Sequence, residues 1–130
     1  MNQEQLIQLQ VIEQEANQLE QQLQLIEQNL AEMQELSSGL NELENSGEKD
    51  VLANIGKGIY IPAEIKSKEL IVEVGNKNFV KKTIPETKKI IEEQIEKLNS
   101  AKQQIVDKVD ELQGQMNGLI EPSNRKILND

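Results

Sequence analysis

The stretch from Val51 to Thr83 decides the fold, and it reads VLANIGKGIYIPAEIKSKELIVEVGNKNFVKKT. Its apolar residues recur at every second position, whereas the sequence on either side has a helical period. The first alternating set is Ile59, Ile61, Ala63 and Ile65, and the second is Leu70, Val72 and Val74. Alternation of this kind is typical of strands that place one face on a core and the other in water.

Turn residues divide this stretch into four strands. Glycine and asparagine supply the backbone conformations that tight turns need, and they cluster at Gly56-Lys57-Gly58 and at Gly75-Asn76-Lys77-Asn78. We therefore predict two β-hairpins, one pairing residues 51–55 with 59–65 and one pairing 69–74 with 78–83.

The segment before the strands, residues 1–46, has the apolar period of a coiled-coil helix. Its apolar residues follow one another in alternating steps of three and four, and we call the row of helix positions that they occupy the seam. These residues are Leu9, Ile12, Ala16, Leu19, Leu23, Ile26, Leu30 and Met33. Ser37 then stands where an apolar residue is due, and Leu36, Leu40 and Leu43 resume on a shifted phase. We expect a stammer-like break there, which overwinds the coil locally.

The segment after the strands, residues 84–121, repeats the pattern at Ile91, Ile95, Leu98, Ile105, Val109, Leu112, Met116 and Leu119. Lys102 occupies a seam position. Its charge can fix the register of pairing, or its stem can simply pack there while its ammonium extends to water.

Thr83 and Glu86 have the spacing of a capping box, although Pro85 allows a cap one residue later. Pro122 is expected to end the helix after Glu121, leaving residues 122–130 as a frayed tail.

A single domain follows from the length of 130 residues and from this order of elements. A short β segment between two helices of similar length predicts an antiparallel two-helix coiled coil joined by two β-hairpins.

Two isolated hairpins have open edges and are barely stable alone, so we expect hairpins of several chains to close into a shared barrel-like core. A monomer with a small β cap is the alternative. The predicted oligomerisation residues are Ile55, Ile59, Ile61, Ala63, Ile65, Leu70, Val72, Val74, Phe79 and Val80.

Composition argues against most other classes of protein. The chain has no Cys and no His, which removes the commonest nucleophile–base pairs and metal ligands, and no Gly-rich phosphate loop is present. We expect no enzyme activity, no cofactor and no metal. The net charge of -9 disfavours nucleic acid as a partner. No apolar run is long enough for a membrane span, and the first ten residues lack the features of a signal peptide, so a cytoplasmic protein is the default.

Two motifs carry a resemblance to a known family. Residues 55–65, IGKGIYIPAEI, followed by residues 70–75, LIVEVG, closely resemble the hairpin region of α-type subunits of the prefoldin family. The helix–hairpin–hairpin–helix layout extends the resemblance to the whole chain, and the second hairpin matters because β-type subunits have one. Asn54 departs from the family pattern, in which proline is usual at that position, and it leaves an extra N–H and a freer turn.

The resemblance implies a molecular chaperone that uses no ATP. The family forms hexamers of two α and four β subunits, in which the hairpins build a β core and six coiled coils hang from it. The distal ends of the coiled coils hold unfolded proteins, which pass to a group II chaperonin in the cytosol.

The residues themselves suggest where clients would bind. Apolar residues off the seam cluster near the two termini, and we expect exposed groups of this kind to suit the apolar segments of unfolded chains. Gly114 and Gly118 would let the last turns open and present the seam. The predicted client-binding residues are Leu6, Ile7, Leu9, Val11, Ile12, Met116, Leu119 and Ile120, with Leu25, Ile127 and Leu128 as further candidates. Scattered surface Leu and Ile are also ordinary, and an inert coiled-coil scaffold or tether is the alternative function.

Overall fold

The computed structural model describes the backbone of residues 2–129 and the side chains of residues 2–120. The elements, in chain order, are α1 (Gln3–Asn45), β1 (Asp50–Gly56), β2 (Ile59–Glu64), β3 (Leu70–Gly75), β4 (Asn78–Lys82) and α2 (Ile84–Asn129). The predicted order of one long helix, two hairpins and a second long helix is confirmed. By proximity of Cα atoms the chain divides into two compact units, Met1–Ala31 with Glu96–Asp130 and Glu32–Ile95.

In the first unit the two helices run antiparallel. Lys102 Nζ lies 3.7 Å from Glu27 Oε1, and Lys108 Nζ lies 4.0 Å from Glu15 Oε1, so residue numbers rise along α2 as they fall along α1. Ile12, Leu30 and Leu112 are buried, and the other predicted seam residues of this unit are half-buried. The heptad pattern is therefore confirmed here by the burial of its side chains. Lys102 keeps a half-buried stem and extends its ammonium toward Glu27, which fits the snorkelling interpretation.

In the second unit the core is a cluster at the junction of helices and strands. Leu40, Ile84 and Ile91 are buried together, and the partly buried side chains packed against them are Met33, Leu43, Leu70 and Ile95. The cluster draws on α1, α2 and β3. Burial of apolar surface stabilises a fold by about 25 cal/mol per Å², so this cluster is what holds the second hairpin's first strand to the helices.

Both hairpins are antiparallel, and each turns through the same backbone conformation. β1 pairs with β2 in the register Val51↔Ala63 and Asn54↔Tyr60, and β3 pairs with β4 in the register Val72↔Val80. Each turn places two successive residues at positive φ, Lys57 and Gly58 in the first hairpin, and Asn76 and Lys77 in the second. Two-residue turns with both φ values positive match the twist of the strands, which explains why the predicted turn residues lie there.

The first hairpin also shows what asparagine does at position 54. The side-chain oxygen of Asn54 accepts a hydrogen bond of 2.8 Å from the backbone N–H of Gly56, at the bulge where the strand register shifts. This Asx-type bond fixes the entry to the turn. The freer turn expected at this position is therefore restrained by the asparagine side chain itself.

Both helices begin with capping bonds. Thr83 Oγ1 accepts a hydrogen bond of 3.2 Å from the backbone N–H of Glu86, so the cap lies at Thr83 as the T-x-x-E spacing predicts, and the alternative of a cap one residue later is wrong. At α1 the backbone N–H of Gln5 donates to Asn2 Oδ1 at 2.8 Å, and Asn2 N donates back to Gln5 Oε1 at 3.1 Å. This reciprocal pair was not predicted.

Two predictions about the helices are wrong. The seam of α1 does not break after Met33, because Ser37 is half-buried and Leu40 buried in unbroken heptad phase, while Leu36 is exposed. Serine is small and tolerates a seam position, so no stammer is needed. Helix α2 does not end at Glu121 but extends to Asn129, through Pro122 and most of the predicted tail. Proline costs about 3 kcal/mol within a helix, and the good helix formers Arg125, Lys126 and Leu128 follow it.

Candidate interaction surfaces

An open apolar groove lies in the first unit, between the first turns of α1 and a late turn of α2. Its volume is about 530 Å³, and its lining residues are Ile7, Gln8, Val11, Ile12, Glu15, Gln115 and Leu119. Ile7 and Val11 are more than half exposed, whereas Ile12 is buried and belongs to the seam. The walls of the groove are therefore formed by seam residues together with apolar residues outside the seam, and this hydrophobic surface is open to solvent.

The structure brings together four of the eight predicted client-binding residues, because Ile7, Val11, Ile12 and Leu119 line this groove. Leu6 is exposed beside it without lining it, and Leu9 and Ile120 are half-buried. Met116 lines a smaller groove of about 250 Å³ with Ala16 and Val109, whose rim carries Glu13 and Glu20. The side chains of the further candidates Ile127 and Leu128 lie outside the described residues.

The chemistry that the first groove offers is recognition of apolar groups. Its walls are aliphatic, and its polar members are two amides and the carboxylate of Glu15, which lies 4.0 Å from Lys108. Aliphatic walls with a few polar groups at the rim bind apolar side chains without demanding one sequence. In the part of the chain that the structure describes, no group of His, Cys, Asp and Glu is placed to hold a metal ion.

The β-hairpins form a second apolar surface. Of the predicted oligomerisation residues, six are exposed in the chain: Ile55, Ile59, Ile61, Val74, Phe79 and Val80. The other four are half-buried: Ala63, Ile65, Leu70 and Val72. Exposed apolar surface of this extent is typical of sites where proteins interact.

Sequence reasoning missed the most exposed of these residues. Leu52 is 68% exposed and Ile71 is 70% exposed, and neither was among the predicted oligomerisation residues. Leu52 lies on the opposite side of the first hairpin from Ile61 and Ala63, and Ile71 lies on the opposite side of β3 from Leu70 and Val72. The signal was present in the sequence, because Ile71 interrupts the alternation of Leu70, Val72 and Val74 with a further apolar residue.

The inter-hairpin segment contains a further contact that sequence did not suggest. Lys68 Nζ donates to the backbone carbonyls of Glu44 at 3.1 Å and Ser46 at 3.2 Å, at the C-terminal end of α1. Lys88 Nζ lies 3.3 Å from Glu44 Oε1 at the same place. A cation at a helix C-terminus satisfies free carbonyls and complements the helix dipole. Lys68 therefore ties the hairpin region to the first helix.

These features define a class of protein in which two long antiparallel helices flank two small β-hairpins, with apolar surface left open on helices and hairpins alike. Comparison with known families narrows the class. The model of the prefoldin family, described as Prefoldin subunit, matches residues 12–126. The chain belongs to the prefoldin family.

Individual relatives agree with this assignment. The chain is 30% identical over 118 residues to a protein named Prefoldin subunit alpha from Methanobrevibacter smithii, which covers 85% of this chain and 81% of that protein. A second Prefoldin subunit alpha, from Methanosphaera stadtmanae, is 30% identical over 81 residues, or 62% of this chain and 59% of that protein. The resemblance drawn from residues 55–65 and 70–75 is confirmed.

A solved structure supports the fold. The cryo-EM structure of filamentous PFD from Methanocaldococcus jannaschii superposes with a TM-score of 0.73 at 22% identity, covering 87% of this chain and 95% of that one. Prefoldin is a chaperone family and generally non-enzymatic, so membership supports the role of a chaperone subunit that assembles with other prefoldin subunits. None of the described helices is long and apolar enough to cross a membrane.

Proposed function

We propose that this chain is a subunit of a chaperone complex that holds unfolded proteins without ATP and passes them to a group II chaperonin in the cytoplasm. The observation that carries the proposal is the open apolar groove of Ile7, Val11, Ile12 and Leu119 in a chain of a chaperone family. Unfolded proteins expose apolar segments, and an aliphatic groove with a polar rim accepts such segments without reading their sequence.

The client-binding surface, in this proposal, is the predicted set of Leu6, Ile7, Leu9, Val11, Ile12, Met116, Leu119 and Ile120. The exposed members make the first contact, and the seam members become available when the last turns of α2 separate from α1. Met116 suits this role because its unbranched side chain adapts to varied partners. The acidic rim residues Glu13, Glu15 and Glu20 favour client segments that carry lysine or arginine.

The β segment is the proposed assembly surface. The ten predicted oligomerisation residues pair with the hairpins of β-type prefoldin subunits, and two copies of this chain join four such subunits in a shared β core. The support is physical, because two-stranded hairpins with exposed Ile59, Ile61 and Phe79 are poorly stable in water without partners. One chain then acts as one prefoldin-like domain within the complex.

The groove is tested by changing its exposed residues and leaving the seam intact. The variant Ile7→Gln/Val11→Gln replaces two exposed aliphatic side chains by a good helix former that α1 already contains in many positions. Leu36→Gln is the matched control, because Leu36 is 49% exposed on the same helix and does not line the groove.

The measurement is light scattering from a chemically denatured client, diluted into the complex with β-type subunits and without nucleotide. We expect the double variant to lose most of the protection and Leu36→Gln to keep it. Equal protection by all three complexes would reject the groove as the client site and favour a coiled-coil scaffold that joins partners through its β segment. Native mass measured beforehand confirms that each variant still assembles.

A further inference from the structure

Helix α2 contains the single Asn-Gly dipeptide of the sequence, Asn117-Gly118. Glycine has no side chain to shield its backbone nitrogen, so this nitrogen can approach the side-chain amide of a preceding asparagine closely. Both residues are exposed, whereas their neighbours Met116 and Leu119 are half-buried. Leu119 also lines the open apolar groove of the first unit. The asparagine with the most reactive following residue therefore lies next to a wall of the groove.

The reaction that this dipeptide permits is deamidation through a succinimide ring. The backbone nitrogen of Gly118 loses its proton and bonds to Cγ of Asn117, the Cγ–Nδ2 bond breaks, and Nδ2 leaves as ammonia with that proton. Water then opens the ring. Cleavage of the new N–Cγ bond gives aspartate, and cleavage of the original peptide bond gives isoaspartate, whose backbone runs through the side-chain carbons. Water is the only co-reactant, and nothing is oxidised or reduced.

An intact helix prevents this reaction. In an α-helix each backbone N–H donates to the carbonyl four residues earlier, so the Gly118 N–H is bound to the carbonyl of Gly114 within α2. Helical dihedrals also keep the Gly118 nitrogen away from Cγ of Asn117. Attack therefore requires that this hydrogen bond breaks and that the turn opens locally.

The hydrogen bonds that hold Gly118 belong to a weak part of α2. They form a column through Gly114, Gly118 and Pro122, in steps of four residues. Proline has no N–H, so Pro122 cannot donate to the carbonyl of Gly118, and the column is interrupted there. Glycine at the two preceding positions destabilises the helix relative to alanine. Local opening is easiest where such bonds are few and exposed, and opening here frees the N–H that attacks Asn117.

We propose that Asn117 is a spontaneous modification site whose reaction is controlled by local opening of α2, and that its isoaspartate product keeps these turns open. Isoaspartate adds a carbon to the backbone and so interrupts the helical period. The seam residues Met116 and Leu119, on either side of the modified peptide, then lose their burial. The modification depends on this chain alone, whereas its consequence for clients, a seam that stays exposed to them, rests on the proposed function.

The control by helix opening is tested with the rate of Asn117 deamidation in the full chain. The rate is followed by mass spectrometry of the peptide of residues 109–125, which trypsin releases, in native protein and in urea. The native rate divided by the rate in urea measures the fraction of time for which the turn is open. We expect the native rate to be the lower one and to be measurable.

Gly114→Ala strengthens the helix and leaves the Asn-Gly dipeptide unchanged. Gly39→Ala is the matched control, because Gly39 lies in the second unit, and an added Cβ meets no atom within 4 Å at either position. We expect Gly114→Ala to slow the native reaction about fivefold and to leave the rate in urea unchanged. Pro122→Ala should slow it further, since it supplies a donor to the Gly118 carbonyl. Gly39→Ala should change neither rate.

The effect of the product is tested on the same chain after prolonged incubation. The incubated wild type should bind more anilinonaphthalene sulfonate, a dye for exposed apolar surface, and should lose helical circular dichroism. Asn117→Gln keeps an amide and a good helix former but must close a larger ring, so its signals should not change with time. Fresh Asn117→Asp carries the new charge without the extra backbone carbon, and it should bind dye like the fresh wild type.

Four results would overturn the inference. They are a native rate equal to the rate in urea, no native reaction while the denatured chain converts fully, equal slowing by Gly39→Ala and Gly114→Ala, and isoaspartate formation without a rise in dye binding. The proposed function is judged separately, by protection of a client with fresh complexes. Fresh complexes that protect, together with any of these four results, would refute the modification and leave the proposed function standing.

Discussion

Replacing Ile91 by alanine should unfold the second unit more easily, because Ile91 is 4% exposed and lies in the cluster with Leu40 and Ile84. The change removes three carbon groups, each contributing about 0.8 kcal/mol when buried, and it leaves a cavity whose cost adds to that transfer term. We therefore expect a loss of about 3 kcal/mol in the free energy of unfolding.

The neighbouring residue provides a matched control. Ile90 is 40% exposed on the same turn of α2, and it is absent from the buried cluster. Ile90→Ala deletes the same atoms and gives the helix the same better helix former, so it should cost less than about 1 kcal/mol. The difference between the two variants isolates the contribution of burial.

The assay is urea unfolding followed by helical circular dichroism, at one fixed protein concentration because association shifts apparent stability. The slope of free energy against urea should stay constant, so that the shift in midpoint measures stability directly. Equal losses for Ile90→Ala and Ile91→Ala would refute the placement of this cluster at the core of the second unit.

Two further substitutions test local features of the helices. Thr83→Ala should lower the free energy of unfolding by about 1 kcal/mol in the same urea assay, because it removes the hydroxyl that accepts a hydrogen bond from the Glu86 N–H. Thr83→Ser should restore most of that loss. An alanine variant as stable as the wild type would contradict the cap. Lys102→Leu should raise the melting temperature, because burial of an apolar side chain at the seam stabilises the helix pair by more than the exposed ion pair with Glu27 does. An exposed ion pair contributes about 0.2–1 kcal/mol. A lower melting temperature would show that the lysine stabilises the pairing.

Much of the fold could be predicted because its signals are local. The three–four steps of apolar residues identify both helices, and the glycine and asparagine clusters place both turns at residues with positive φ. The polar character of Ser37 predicts a stammer after Met33, and this prediction is wrong because a small residue at a seam position keeps the heptad phase. The predicted helix end at Pro122 is wrong because the helix formers that follow the proline continue the helix to Asn129.

The interaction surfaces could be predicted less completely, because they depend on residues that come together in space. Ile7, Val11 and Leu119 were expected near one another from the antiparallel return of the chain, and they do line one groove. The contact of Lys68 with the end of α1 joins residues 22 and 24 positions apart, and no periodicity reports it. Leu52 and Ile71 were missed because the alternation rule assumes one apolar face, and these hairpins have two.

The native mass of the complex formed with β-type prefoldin subunits tests the central claim, that the hairpins are completed by neighbouring chains, most directly. The account predicts a stable complex containing more than one copy of this chain, with Ile59, Ile61 and Phe79 protected from solvent. A species with the mass of one chain, unchanged when β-type subunits are added at micromolar concentration, would contradict it.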